Sequence, residues 1–174
     1  MADETPAGAA PANAANAPGY SLVGQYIRDL SFENPGAPGS VLLGGPNPNF
    51  NVTINVGVKK QADDLYAVEL NLTAKAERET TVLFNVELAY GGVFRLRNIP
   101  EAQLPPLLMI EAPRVLFPFA RHVLANTVQL GGFPPLMMEP VDFNAIYMQN
   151  LKQLQAQQAG GATGGAAPTP TVTN

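Results

Sequence analysis

The sequence predicts an α+β fold: a four-stranded antiparallel sheet with a crossover connection, followed by two helices. Three observations carry this expectation. Three consecutive segments alternate apolar and polar residues with period 2, and that alternation gives way to helical spacing after Gly91-Gly92. A long Pro- and Gly-rich connection also separates the first strand from the other three.

The first strand is "YSLVGQYIRDLSF", rich in Tyr, Val, Ile and Leu but with imperfect alternation, as suits an edge. The connection "ENPGAPGSVLLGGPNPN" is too long for a hairpin, so this strand is expected to cross over rather than pair with the second. In "FNVTINVGV", Phe50, Val52, Ile54, Val56 and Val58 alternate with Asn51, Thr53, Asn55 and Gly57, the pattern of a strand with one buried face. "YAVELNLTAKA" repeats it with Tyr66, Val68, Leu70, Leu72 and Ala74, and "TVLFNVELAY" with Val82, Phe84, Val86, Leu88 and Tyr90. The short polar links "KKQADD" and "ERE" suit hairpins, so these three strands form a meander.

Helical spacing runs from Glu101 to Gln129 and stops at Gly131-Gly132. Within it lies "RVLFPFARHVL", where Leu116, Phe119 and Val123 form one apolar row and Phe117, Leu124 and Val128 an adjacent one. Only His122, Asn126 and Gln129 make a polar strip. A helix apolar over more than half its circumference is buried on two sides. Its own sheet can cover one side, and a second subunit is the expected cover for the other. Pro118 fits the first turn of a helix; if the helix starts near Pro113, Pro118 should kink it. Arg121, a cation among apolar neighbours, needs a partner in its own subunit or across an interface. The second helix starts at the N-cap Asp142, with Val141 and Ile146 placed as a hydrophobic staple. Its apolar face carries Phe143, Ile146, Tyr147, Leu151 and Leu154.

The folded part is expected as one domain over residues 20–154, between disordered tails at 1–19 and 155–174 made almost entirely of small and polar residues and Pro. The net charge of −4 and scattered basic residues disfavour nucleic acid as a partner and favour a basic polypeptide. No apolar run is long enough for membrane insertion, and the start lacks a secretory signal pattern. The absence of cysteine excludes disulfides and a thiol nucleophile, and fits a reducing cytoplasm.

No catalytic or metal-binding constellation emerges, so no enzymatic activity, metal or cofactor is expected. His122 has no nucleophile partner, Asp63-Asp64 reads as turn chemistry, and "GGPNPN" and "YGGVF" match no phosphate-binding loop. Met137 and Met138 in "PPLMMEP" are of the type that adapts to varied ligands. What survives is binding.

Taken with the segments "RDLSFENPGAP", "DDLYAVEL", "GGVF", "LFPFAR", "GGFPPL" and "PVDFNAIYMQNL", the chain resembles the SecB family of bacterial protein-export chaperones. The resemblance implies a homotetramer, a dimer of dimers, that keeps precursor proteins unfolded in the cytoplasm without ATP and delivers them to the SecA motor. It also implies an acidic motor-docking patch at Asp29, Glu33 and Glu87, with Asn85 where the best-known members carry leucine. Client-binding grooves fall to Phe50, Val52, Ile54, Phe133, Phe143 and Tyr147, and the crossover lacks the tryptophan of well-known members. The tetramer interface falls to Phe117, Phe119, Arg121, Leu124 and Val128. Two other readings stay open: a SecB-like chaperone of a toxin–antitoxin pair, and a carrier of small apolar ligands.

Overall fold

The computed structural model describes residues 17–42 and 48–160. The expected tails at 1–16 and 161–174, and the crossover glycines Gly44 and Gly45, lie outside the described residues.

Four long strands form one antiparallel sheet: β1 (Gly19–Glu33), β2 (Asn49–Ala62), β3 (Leu65–Arg78) and β4 (Thr81–Arg97). Their order is β1-β4-β3-β2, so the last three make the expected meander and β1 crosses over to pair with β4. The hairpins are tight: Asp63-Asp64 joins β2 to β3, and Glu79, with φ of 54°, turns β3 into β4. Asp64 is held in place by two arginines, its Oδ2 lying 3.2 Å from Arg97 Nε and 3.5 Å from Arg95 Nε. Turn geometry and ion pairing together account for the aspartate pair.

Because directly paired residues of adjacent strands point to the same face, the period-2 pattern becomes continuous rows across the sheet. Val68, Leu70, Leu72, Ala74 and Ala76 of β3 meet Phe84, Val86, Leu88, Tyr90 and Phe94 of β4 in a buried face. Phe50, Val52, Ile54, Val56 and Val58 continue that face onto β2. They are less covered than their alternation suggests, since β2 is an edge strand: Phe50, Val52 and Val58 remain exposed.

The helical segment begins as a 3-10 turn at Glu101–Gln103, passes through Leu104–Pro106 and a π stretch at Leu107–Glu111, and continues as helix α1, Ala112–Leu130. Pro118 therefore lies inside the helix rather than in its first turn. Its missing N–H leaves the Arg114 carbonyl without an α-helical donor. α1 lies across β3 and β4, burying Leu116, Phe117, Ala120, Leu124 and Val128. Gly92 makes this approach possible: a Cβ there would stand 2.7 Å from Leu116 Cδ2.

The glycine stop has the predicted function and a definite geometry. Gly132 takes the left-handed conformation at φ 90°, its N–H bonds to the Gln129 carbonyl, and the Phe133 N–H reaches back to Val128. Helix α2 (Phe143–Gly160) begins after Asp142, whose Oδ1 accepts from the Asn144 and Ala145 N–H groups at 3.0 and 3.1 Å. The helix continues through residues 155–160, assigned by composition to the C-terminal tail. Replacing the cap, Asp142→Ala, is expected to cost about 1 kcal/mol, read as a lower urea midpoint with an unchanged m-value.

Candidate functional site

An apolar opening lies where the start of β2, the start of β4 and the loop after α1 converge. It has a volume of about 520 Å3 and is lined by Pro48, Phe50, Phe84, Phe133, Leu136 and Met137, together with Pro134 and Pro135. Each part has a local cause. The edge position of β2 leaves Phe50 51% exposed. Strand parity sets Phe84 into the inner face at the foot of β4, and the left-handed turn at Gly132 brings Phe133 onto it. Pro134 and Pro135 restrict the loop that follows, and Met137 stands 77% exposed at the rim.

Phe84 is the hub, with its ring centroid 4.9 Å from Phe133, 5.8 Å from Phe32 and 6.3 Å from Phe50. The lining has no charged side chain. Along β2 the same apolar row continues through exposed Val52 and half-buried Ile54, and the outer edge of β2 pairs with no strand among the described residues. This arrangement offers aromatic and thioether surface next to unpaired backbone groups, the chemistry that receives apolar stretches of extended chain.

Of the residues expected to bind clients, Phe50 and Phe133 meet in this opening, with Val52 and Ile54 on the adjoining strand. Phe143 does not join them. It is 1% exposed and packs edge-on against Phe117 at 5.8 Å, so it is a core residue that fastens α2 to α1. Tyr147 is half-buried against the core, outside the lining. Phe84, missing from that expectation, was marked in the sequence by its parity within "TVLFNVELAY".

On the opposite face of the sheet, the direct pairs Ser31↔Glu87 and Glu33↔Asn85 bring β1 and β4 together, with Asp29 one pair further on, opposite Ala89. Asp29, Glu33, Asn85 and Glu87 thus share one outward patch, and the Asn85 Nδ2 donates to Glu87 Oε1 at 3.3 Å. Asp29, Glu33 and Glu87 are exposed. The cation beside them, Lys75, is engaged by Glu77 at 2.6 Å, so the patch keeps an excess of negative charge.

A third surface lies on the side of α1 turned away from the sheet. Phe119 is 50% exposed, and Val115 and Leu130 are exposed beside it, as are Ile27 and Leu30 on the inner face of β1. The expected interface set divides here. Leu124 and Val128 are wholly buried within the single chain, and Phe117 nearly so, packed against Phe143 of α2. Those three are core within the single chain, whereas Phe119 is exposed. Arg121 finds its partner at home, its Nη1 donating to the Met138 carbonyl at 3.0 Å.

Catalytic groups do not gather. His122 is exposed on the polar strip, and no cluster of three potential metal ligands occurs among the described residues. Burial pushes the Tyr20 hydroxyl up to about 12, with the Glu111 charge adding to it, and burial also raises Tyr90. Tyr20 stacks on Phe94 at 5.4 Å and Tyr90 donates to Gln25 Oε1 at 2.9 Å, both structural contacts.

The family model for the preprotein translocase subunit SecB matches residues 13–154. A protein-export protein SecB of Bradyrhizobium sp. strain BTAi1 is 52% identical over 145 residues, 83% of this chain and 90% of the relative. One from Rhodopseudomonas palustris strain BisB5 is 52% identical over 149 residues, 86% of this chain and 94% of the relative. Among solved structures, a SecB-like chaperone of Mycobacterium tuberculosis, in complex with a ChAD peptide from the HigA1 antitoxin, superposes with a TM-score of 0.56. That match covers 70% of this chain and 90% of the other at 11% identity, a likeness of fold.

Proposed function

The chain belongs to the SecB family of protein-export chaperones, and from that premise we propose that it is an ATP-independent holdase: it binds unfolded precursor proteins, keeps them competent for translocation and passes them to the SecA motor. The observation that carries this reading is the uncharged aromatic groove around Phe84, open at Phe50 and Met137 and continuous with the apolar row of β2.

Magnitudes favour a repeated groove. Burying one Leu or Phe side chain yields roughly 1.5–3 kcal/mol, whereas association costs about 4–15 kcal/mol. One groove is therefore insufficient for an unfolded chain, while several in one assembly bind cooperatively through high effective concentration. A homotetramer, as a dimer of dimers in the cytoplasm, supplies that repetition. The exposed Val115, Phe119 and Leu130 of α1, with Ile27 and Leu30 of β1, support such an assembly because they are large apolar side chains left uncovered in the single chain.

The outward carboxylates Asp29, Glu33 and Glu87 serve as the docking point for a basic segment of the motor. Asn85 replaces the apolar contact at this patch with an amide that orients Glu87. The double variant Asp29→Ala, Glu33→Ala is expected to weaken motor binding about tenfold at low salt, chiefly through the association rate, while client holding persists. Titration calorimetry with the motor, paired with a holding assay, separates the two activities; equal motor affinity in variant and parent sinks the docking assignment. Service to a toxin–antitoxin pair is disfavoured by the 52% identity to relatives named as protein-export proteins.

A further inference from the structure

The outer face of the sheet is electrically polar along its length, and the acidic patch occupies only one end. Pairing across all four strands sorts the face into rows. Asn51, Lys75, Asn85 and Glu33 make one; then come Thr53, Thr73, Glu87 and Ser31; then Asn55, Asn71, Ala89 and Asp29. Beyond these lie Gly57, Glu69, Gly91 and Tyr26, then Lys59, Ala67, Val93 and Gly24, and past them Arg95.

The far rows enclose a concavity of about 410 Å3, with Tyr26, Arg28, Gly57, Lys59 and Glu69 among its walls. Its shape follows from two backbone features. Arg28 is the extra residue of an irregularity in β1, which lets its side chain swing over the face to Glu69 at 2.6 Å. Gly91 leaves room for the Tyr26 ring, which a Cβ there would overlap. Glu69 answers the charge of Arg28, so exposed Lys59 gives this end its positive excess. Arg95 and Arg97 reinforce it, since both share the single carboxylate of Asp64.

From Glu87 to Val93, in the row of Lys59, is six residues of extended strand, roughly 20 Å. The Debye length at 0.1 M salt is about 10 Å, so each end acts on its own neighbourhood. A basic segment docked on the carboxylates is therefore not repelled by Lys59, and an acidic segment can be attracted there independently.

We infer that the outer face binds its partner polypeptide in one orientation, with a basic segment over Asp29, Glu33 and Glu87 and an acidic segment, about six extended residues away, in the concavity beside Tyr26 and Lys59. The inference rests on the motor-docking reading of the acidic end and adds a second, oppositely charged subsite.

The test uses the full chain and two synthetic peptides of identical composition. One has a lysine–arginine cluster and an aspartate pair about six residues apart; the other alternates the same charges. The segregated peptide should bind about fivefold more tightly, the effect of two exposed charge pairs. A spin label at its acidic end should broaden the amide signals of Gly57, Lys59 and Ala67, and Lys59→Glu should abolish the advantage. Equal affinity of the two peptides, or broadening around Thr73 and Glu87 instead, overturns the orientation. A third peptide carrying only the basic cluster isolates the underlying reading. If its binding is indifferent to Asp29→Ala with Glu33→Ala, the docking assignment itself fails, and the inference with it.

Discussion

Replacing Phe84 by alanine is expected to lower the free energy of unfolding by about 3–5 kcal/mol, the largest effect of any single substitution in the groove. The side chain is 1% exposed and contacts three other rings, so its removal leaves a cavity that no neighbour can collapse into without breaking a second aromatic contact. Phe50→Ala removes the same number of atoms from a half-exposed site and should cost far less, about 1 kcal/mol. The difference between the two, measured by urea unfolding at one fixed protein concentration, establishes Phe84 as the groove's floor and Phe50 as its wall. Equal losses would mean that the groove is not built around Phe84.

The second large effect concerns the glycine pair in β4, whose members serve opposite faces. Gly92→Ala places a methyl 2.7 Å from Leu116 Cδ2 and 3.1 Å from Leu22 Cδ1, and Leu116 is fully buried with nowhere to go. Separating α1 from the sheet to admit it should cost about 1–3 kcal/mol, seen as a fall of several degrees in the melting temperature. Gly91→Ala meets first the Tyr26 ring, which is partly exposed and can swing into solvent. It should leave stability within about 0.5 kcal/mol of the parent while altering the outer face. A reversal of that order would mean that α1 does not gain its close approach from Gly92.

The sequence made the strands legible because their alternation is nearly unbroken, and it made the crossover legible because the first connection is too long for a hairpin. It overstated the burial of β2. Periodicity reports which side of a strand is apolar, and only the tertiary arrangement decides whether a helix reaches over that side. The same limit explains α1. An apolar row on a wheel does not reveal which partner covers it, so Phe117, Leu124 and Val128 read as assembly surface although the single chain already buries them. Phe133 and Phe143 are equally aromatic and both sit in Pro-rich surroundings; the turn at Gly132 sends one to the groove and the packing of α2 sends the other to Phe117. Arg121 satisfies itself on a carbonyl from the following loop, a contact with no side-chain signature to read. The acidic patch is assembled by the β1–β4 pairing, so its carboxylates come from segments more than fifty residues apart in the chain.

Helix α1 divides into what it buries and what it shows. Its inward row, with Leu116 and Leu124, holds the subunit together, and Val115 and Phe119 of its outward row stay exposed. The groove lies beyond the C-terminal end of α1, at the starts of β2 and β4. The surface proposed to hold clients includes neither Val115 nor Phe119 in its lining.

The most direct test of that holding activity follows the refolding of a chemically unfolded export precursor, with the protein in molar excess and no nucleotide present. Refolding should stall in its presence and recover its normal rate when Phe50→Glu puts a charge into the groove. A precursor that refolds at the same rate with and without the protein would contradict the assignment.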